Sequence, residues 1–330
     1  GYPVSFMSVW EFDEKQRLIT MINYTLPSLS PMNAGEEYYG TDNGTILSNN
    51  SYTGNHSGLT LGQYMYIYIC FLISILGLWW NGTVIWLLGF CIKRTPFTTY
   101  ILNLSMADFG LLTVNLILYI LSLLEVSVLK HLLVYILILM FLFYGTGQFL
   151  LTAISIDRCV AVLFPLWHRC HRPPNMSTAV CASIWVLSSI FPAIDFTLLL
   201  ADLNVSNILG IHLIVNGFLC LPLMTVATLI LFVRVCFKSH QRRRGKLLII
   251  VLLALFFFII FSFPLNALFI TVYVLDSEPP SFLKYASILT CVNSCINPLI
   301  YFLVGRQKRG RCRQSMKATF QNPMEMSLET

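Results

Sequence analysis

The chain has 330 residues, of which 56% are hydrophobic and only 11% charged, against roughly 25% charged in an ordinary soluble domain. A water-soluble fold of this size cannot hide that much apolar surface, so the composition excludes soluble enzymes and nucleic-acid binders and points to a chain that lives in lipid. The formal net charge is +6, and where those charges fall matters more than their sum.

Residues 1–62 are polar and turn-rich, with Asn-x-Ser/Thr sites at Asn23, Asn43, Asn49 and Asn55. Four such sites ahead of a membrane span predict a disordered extracellular tail that carries sugar. No apolar signal-type run precedes residue 63, so the first membrane helix is expected to act as its own targeting signal.

Seven apolar stretches follow, near 64–91, 97–123, 132–163, 176–200, 209–236, 246–275 and 283–304. Each is long enough to cross a hydrocarbon core, which takes about 20 helical residues. They are apolar around nearly all their circumference, which suits lipid rather than a soluble core. Backbone groups in lipid must bond within their own segment, so the spans are expected to be helices. The expected fold is all-α and integral to the membrane: a seven-helix bundle over 63–304, with 305–330 as an interfacial helix and tail.

Seventeen of the 21 Lys and Arg fall on one side of these spans. They are Lys93 and Arg94 in the first loop, Arg158, Arg169 and Arg172 around the second, six between Arg234 and Lys246, and six between Arg306 and Lys317. That side is predicted to be cytoplasmic, with affinity for anionic lipid head groups. Eleven of the 15 carboxylates lie on the other side, among them Asp195, Asp202, Asp276 and Glu278. The basic stretch 305–318, with Met316 nearby, reads as a short amphipathic eighth helix lying on the membrane. Cys312 within it is a candidate for palmitoylation. The ten cysteines lie in apolar runs or on the cytoplasmic side and show no metal-type spacing.

Polar residues inside spans are expensive and usually functional. Asp108 sits midway along the second span and must face the bundle interior. Asn293, Ser294, Asn297 and Tyr301 fall at spacings of three or four on the seventh, so they share one helical face. Asn81 adds an amide from the first span. Interhelical hydrogen bonding alone would account for such a cluster equally well. Pro222, Pro264 and Pro298 lie within helices five, six and seven and predict kinks.

These residues carry a family pattern. NPLIY at 297–301 and Asp157-Arg158-Cys159 at the end of the third span resemble two motifs of rhodopsin-like (class A) G-protein-coupled receptors. Asn81, Asp108, Trp185, Pro222, Pro264 and Pro298 fit their helix anchor positions. The stretches 96–108, 152–173 and 296–305 resemble the Mas-related receptors more closely still. The resemblance covers about residues 64–318. It departs from most class A receptors at Ser262, where they have Trp, and at 125–135 and 200–209, which hold no Cys for their usual extracellular disulfide.

The resemblance implies a plasma-membrane receptor, not an enzyme, with heterotrimeric G protein and arrestin as partners. Asp157 would hold Arg158 at rest, Pro264 would be a hinge, and Asn297, Pro298 and Tyr301 would move on activation. Asp108 with Asn81, Asn293, Ser294 and Asn297 resembles a sodium pocket, although Gly147 stands where many receptors supply a serine ligand. Asp195, ten residues after Trp185, is the expected contact for a basic peptide or cationic amphiphile, with Asp202, Asp276 and Glu278 adding attraction for cations. The alternative is a receptor-fold protein that signals constitutively or acts as a dimer partner. A transporter is disfavoured because no internal repeat is visible.

Overall fold

The computed structural model describes residues 61–91, 94–124, 130–200 and 206–237, and parts of 252–298. Among them every regular element is helical. Helix α1 runs Leu61–Trp86 and closes in a π turn, Leu87–Cys91. Helix α2 is Pro96–Leu123, α3 is Lys130–Leu163, α4 is the short Pro165–Cys170, α5 is Met176–Leu200 and α6 is Ser206–Phe237. Further helix is present at 263–268 and 286–298. Among the described residues five helices are long and apolar enough to cross a membrane: α1 with its π turn, α2, α3, α5 and α6. Of the sixth and seventh expected spans only parts fall among the described residues. The tail 1–60 with its four Asn sites, the amphipathic stretch 305–318 with Cys312, and Tyr301 lie outside them.

The sequence punctuates these helices locally. Thr95 precedes Pro96, whose missing N–H costs nothing at a first helical position. The Thr95 backbone N–H donates to the Thr98 hydroxyl at 2.7 Å, and the Thr98 N–H donates back to the Thr95 hydroxyl at 3.2 Å. This reciprocal cap satisfies donors that α2 would otherwise leave bare. Pro165 opens α4 in the same way. Inside the spans, Ser74, Thr146, Thr152, Ser155 and Thr228 each donate their hydroxyl to the carbonyl four residues back. Each hydroxyl is thereby satisfied within its own helix, as an apolar surround demands.

Helix α3 is the hub, packing against α2, α5 and α6, while α1 packs on α2 and α2 also meets α5. Accordingly α1 leaves much of its circumference bare, with Tyr68, Leu72, Leu76 and Trp79 exposed, as a lipid-facing helix should. Two apolar clusters fill the bundle. One gathers Ile67, Leu112, Leu118, Tyr119, Phe141 and Leu268. The other gathers Leu104, Leu150, Ile154, Ile184, Met224 and Leu231. Between them along α2 and α3 lies a layer of buried polar groups, including Asp108, Thr146 and Gln148. Glycines permit two close approaches: a Cβ at Gly77 would meet Cys295 Sγ at 2.4 Å, and one at Gly110 would meet the Phe143 ring at 2.4 Å.

Candidate functional site

Three groups of polar side chains stand out, one at each end of the bundle and one between. In the middle, Asn297 Nδ2 donates to Asp108 Oδ2 at 2.9 Å. Asn81 Nδ2 donates to the carbonyls of Gly77 at 2.9 Å and Ser294 at 3.0 Å. Asn81, Asp108, Asn293, Ser294, Asn297 and Pro298 are all buried. The structure thus brings together the cluster expected from the sequence, Tyr301 aside. Beside it Asp108, Gly147, Gln148, Thr290, Asn293 and Ser294 line a cavity of about 10 Å³, roughly the room one water requires. A Cβ at Gly147 would meet nothing within 4 Å, so space is present there but an oxygen donor is not. Gln148, which the sequence reading passed over, is buried in this wall.

At the end of α3, Asp157 is the centre of an ion-pair cluster. Its Oδ2 accepts from both the Nε and an Nη of Arg158. Its Oδ1 lies 2.7 Å from Arg172 Nη2 and 3.7 Å from His168 Nε2. Arg172 in turn donates to Ser177 Oγ at 2.7 Å and lies 2.6 Å from His168 Nε2. A guanidinium has no acceptor, so the His168 nitrogen that faces it holds the lone pair, and the ring proton sits on Nδ1. Burial, reinforced by the two guanidiniums, pushes the His168 pKa below its ordinary value against the opposing pull of Asp157. Arg158 also stacks its guanidinium 4.6 Å from the Phe97 ring centre. Cys159 Sγ, next in sequence, donates to the Ala227 carbonyl at 3.0 Å and ties α3 to α6.

The expected pairing of Asp157 with Arg158 is therefore present. Arg172 and His168 are additions that sequence reasoning misses: Arg172 reads there only as a loop charge. A basic residue a few positions beyond a short proline-started helix was the available signal.

At the opposite end, Asp195 lies three residues beyond Pro192, which interrupts α5. Its side chain is fully buried, and neither carboxylate oxygen has a hydrogen-bond partner among the described residues. Pro192 has no N–H for the Ser188 carbonyl four residues back, and the Ser188 hydroxyl is likewise buried without a partner. The ring of Phe196, next in sequence, lies 5.4 Å from that of Tyr135 on α3. Asp195 thus faces the protein interior. Asp202, Asp276 and Glu278 lie outside the described residues. Pro264 lies within helix at 263–268 and is half-buried. Among the described residues the cysteines are free thiols.

A bundle of apolar helices, with a buried Asp–Asn pair at its centre and an Asp-Arg cluster at one end, is the framework of a seven-transmembrane receptor. Residues 80–301 match the family model described as "7 transmembrane receptor (rhodopsin family)". The chain is 39% identical to the Mas-related G-protein coupled receptor member H of Rattus norvegicus, covering 80% of this chain and 84% of that one. It is 36% identical to the proto-oncogene Mas of Mus musculus, over 74% and 79% of the two chains. It is 34% identical to member A1 of Mus musculus, over 78% and 88%. The chain belongs to the Mas-related G-protein-coupled receptors of the rhodopsin family.

Proposed function

We propose that this receptor binds an extracellular cationic ligand, a basic peptide or a cationic amphiphile, at Asp195, and passes the signal to a heterotrimeric G protein. Asp195 carries this reading. A carboxylate buried without a partner is costly, and it is best understood as half of an ion pair whose other half comes from outside. A guanidinium or ammonium entering from the mouth would satisfy both oxygens with charge-assisted bonds. Asp202, Asp276 and Glu278 would add a field that draws cations in.

Binding acts through a difference in affinity between two receptor conformations. In the resting one, Arg158 is held by Asp157. In the active one, the sixth span swings about Pro264, Tyr301 moves with Asn297 and Pro298, and the opened cytoplasmic end admits a Gα subunit, with arrestin as a competing partner. The topology in this reading puts the sugar-bearing tail outside the plasma membrane and the basic loops, with Cys312, inside. A sodium ion in the central cavity would be held by Asp108 with Ser294 and Asn293. Gly147 supplies no ligand there, so the site as built suits a water better.

The test is a calcium and cyclic-AMP assay in cells, with a panel of basic peptides on wild type and Asp195→Ala. A response that is lost in the variant at equal surface expression supports the reading. A high basal signal that no peptide alters, in either form, would favour the constitutive alternative.

A further inference from the structure

The cytoplasmic cluster has one member too many for a two-residue lock. Asp157 divides its two oxygens between two arginines, Oδ2 to Arg158 and Oδ1 to Arg172. Arg172 is not on α3. It follows α4, in the loop that leads to α5, and its side chain is only 7% exposed. It is itself fixed on two further sides, by Ser177 at the start of α5 and by His168 on α4. The guanidinium therefore joins the end of α3, the loop helix and the first turn of α5 through a single planar group, a geometry that lysine cannot reproduce.

We propose that Arg172, oriented by His168 and Ser177, is a positioning residue for the resting receptor: it clamps Asp157 from the second cytoplasmic loop, so that the loop must move before Asp157 releases Arg158. Among the described residues the cluster holds two fixed positive charges and one negative one, with Asp157 its only carboxylate. Losing Arg172 leaves Oδ1 unpaired and lets the Asp157 carboxylate rotate away from Arg158. A partner that draws the second loop outward would pull Arg172 with it and so couple its own docking to the freeing of Arg158. This inference rests on the G-protein reading above, since the clamp is read out through signalling.

The experiment measures ligand-independent signal at matched surface expression, scored by surface biotinylation, for wild type, Arg172→Gln, Arg172→Lys, Asp157→Asn and the Arg172→Gln/Asp157→Asn double variant, with Arg158→Ala as the reference for lost coupling. Arg172→Gln is expected to raise the basal signal roughly fivefold, at the low end of couplings between linked sites. Arg172→Lys, which keeps the charge but not the fork, is expected to give a smaller rise, and it serves if Arg172→Gln fails to reach the surface. Because Arg172 acts through Asp157, Arg172→Gln should add nothing in the Asp157→Asn background. A merely structural arginine would lower surface expression and add independently in the double variant. Basal signals at the wild-type level in both Arg172 variants, or an additive double variant, would overturn the clamp. If Asp157→Asn and Arg158→Ala also leave signalling untouched, the coupling reading falls with it.

Discussion

Asp157 and Asp195 lie toward the C-terminal ends of α3 and α5, two helices packed against each other. Asp157 has both oxygens engaged, by Arg158 and Arg172. Asp195 is more deeply buried and has neither engaged among the described residues. One carboxylate is completed by the protein, and on the proposed reading the other is completed by a ligand. A paired buried charge holds a structure in place, whereas an unpaired one raises its energy until a counter-ion arrives. On the proposed reading this difference separates a lock from a ligand site, although both are single aspartates near helix ends.

The largest expected effect breaks the outer half of this comparison. Asp195→Asn should weaken a basic agonist by about 30-fold or more, the usual loss when one partner of a buried charge pair is truncated. A concentration–response curve reads it. The same substitution should raise the thermal midpoint of the ligand-free, detergent-solubilised receptor, because it removes an unpaired buried charge.

Asp157→Asn should do the reverse: losing about 1–3 kcal/mol of charge-assisted bonding, it should lower the midpoint while raising basal signal. Opposite signs in one melting assay would sharpen the contrast, and equal signs would erase it.

Packing supplies the next effect in size. Gly77→Ala forces a Cβ into Cys295 Sγ and Leu112 and should cost about 1–3 kcal/mol by overpacking. Gly147→Ser enters open space and should leave the midpoint unchanged while adding an oxygen beside Asp108. Agonist affinity in Gly147→Ser should then fall with rising sodium more than it does in wild type.

The smallest effect is a pH dependence at His168, whose charged neighbours are Asp157, Arg158 and Arg172, with Ser177 and Tyr100 beside them. The clamp holds this ring neutral and its pKa low, so the released loop takes up the proton more readily. The clamp is therefore at full strength above the ordinary imidazole value of about 6.5, and it weakens as cytosolic pH falls below that value. Basal signal should rise about twofold on such acidification, for a stabilisation difference of a few tenths of a kcal/mol, and His168→Asn should flatten the response.

The helices were legible because lipid imposes length and apolarity on every span. The expected stretches 97–123, 132–163 and 176–200 correspond to Pro96–Leu123, Lys130–Leu163 and Met176–Leu200. The gathering of Asp108 with the polar face of the seventh span was legible too, since spacing places Asn293, Ser294 and Asn297 on one face and lipid leaves them nowhere else to point. What spacing could not give was the clamp. Asp157 and Arg172 are separated by a turn, the short helix α4 and a proline, and only folding brings them to 2.7 Å. The burial of Asp195 was equally hidden, because a helix that is apolar all round carries no stripe to say which side faces the protein. Gln148 was overlooked for a related reason: a single amide in a long apolar run looks like an accident until its neighbours are seen.

The most direct measurement is a cycle between Asp195 and one cation of the ligand. A basic peptide that activates the receptor would be tested beside its analogue with one arginine replaced by neutral, near-isosteric citrulline, each on wild type and Asp195→Asn. If Asp195 pairs with that arginine, either change alone should shift potency by about 30-fold or more, and both together no further than one. Shifts that simply add at every arginine of the peptide would contradict a cation site at Asp195.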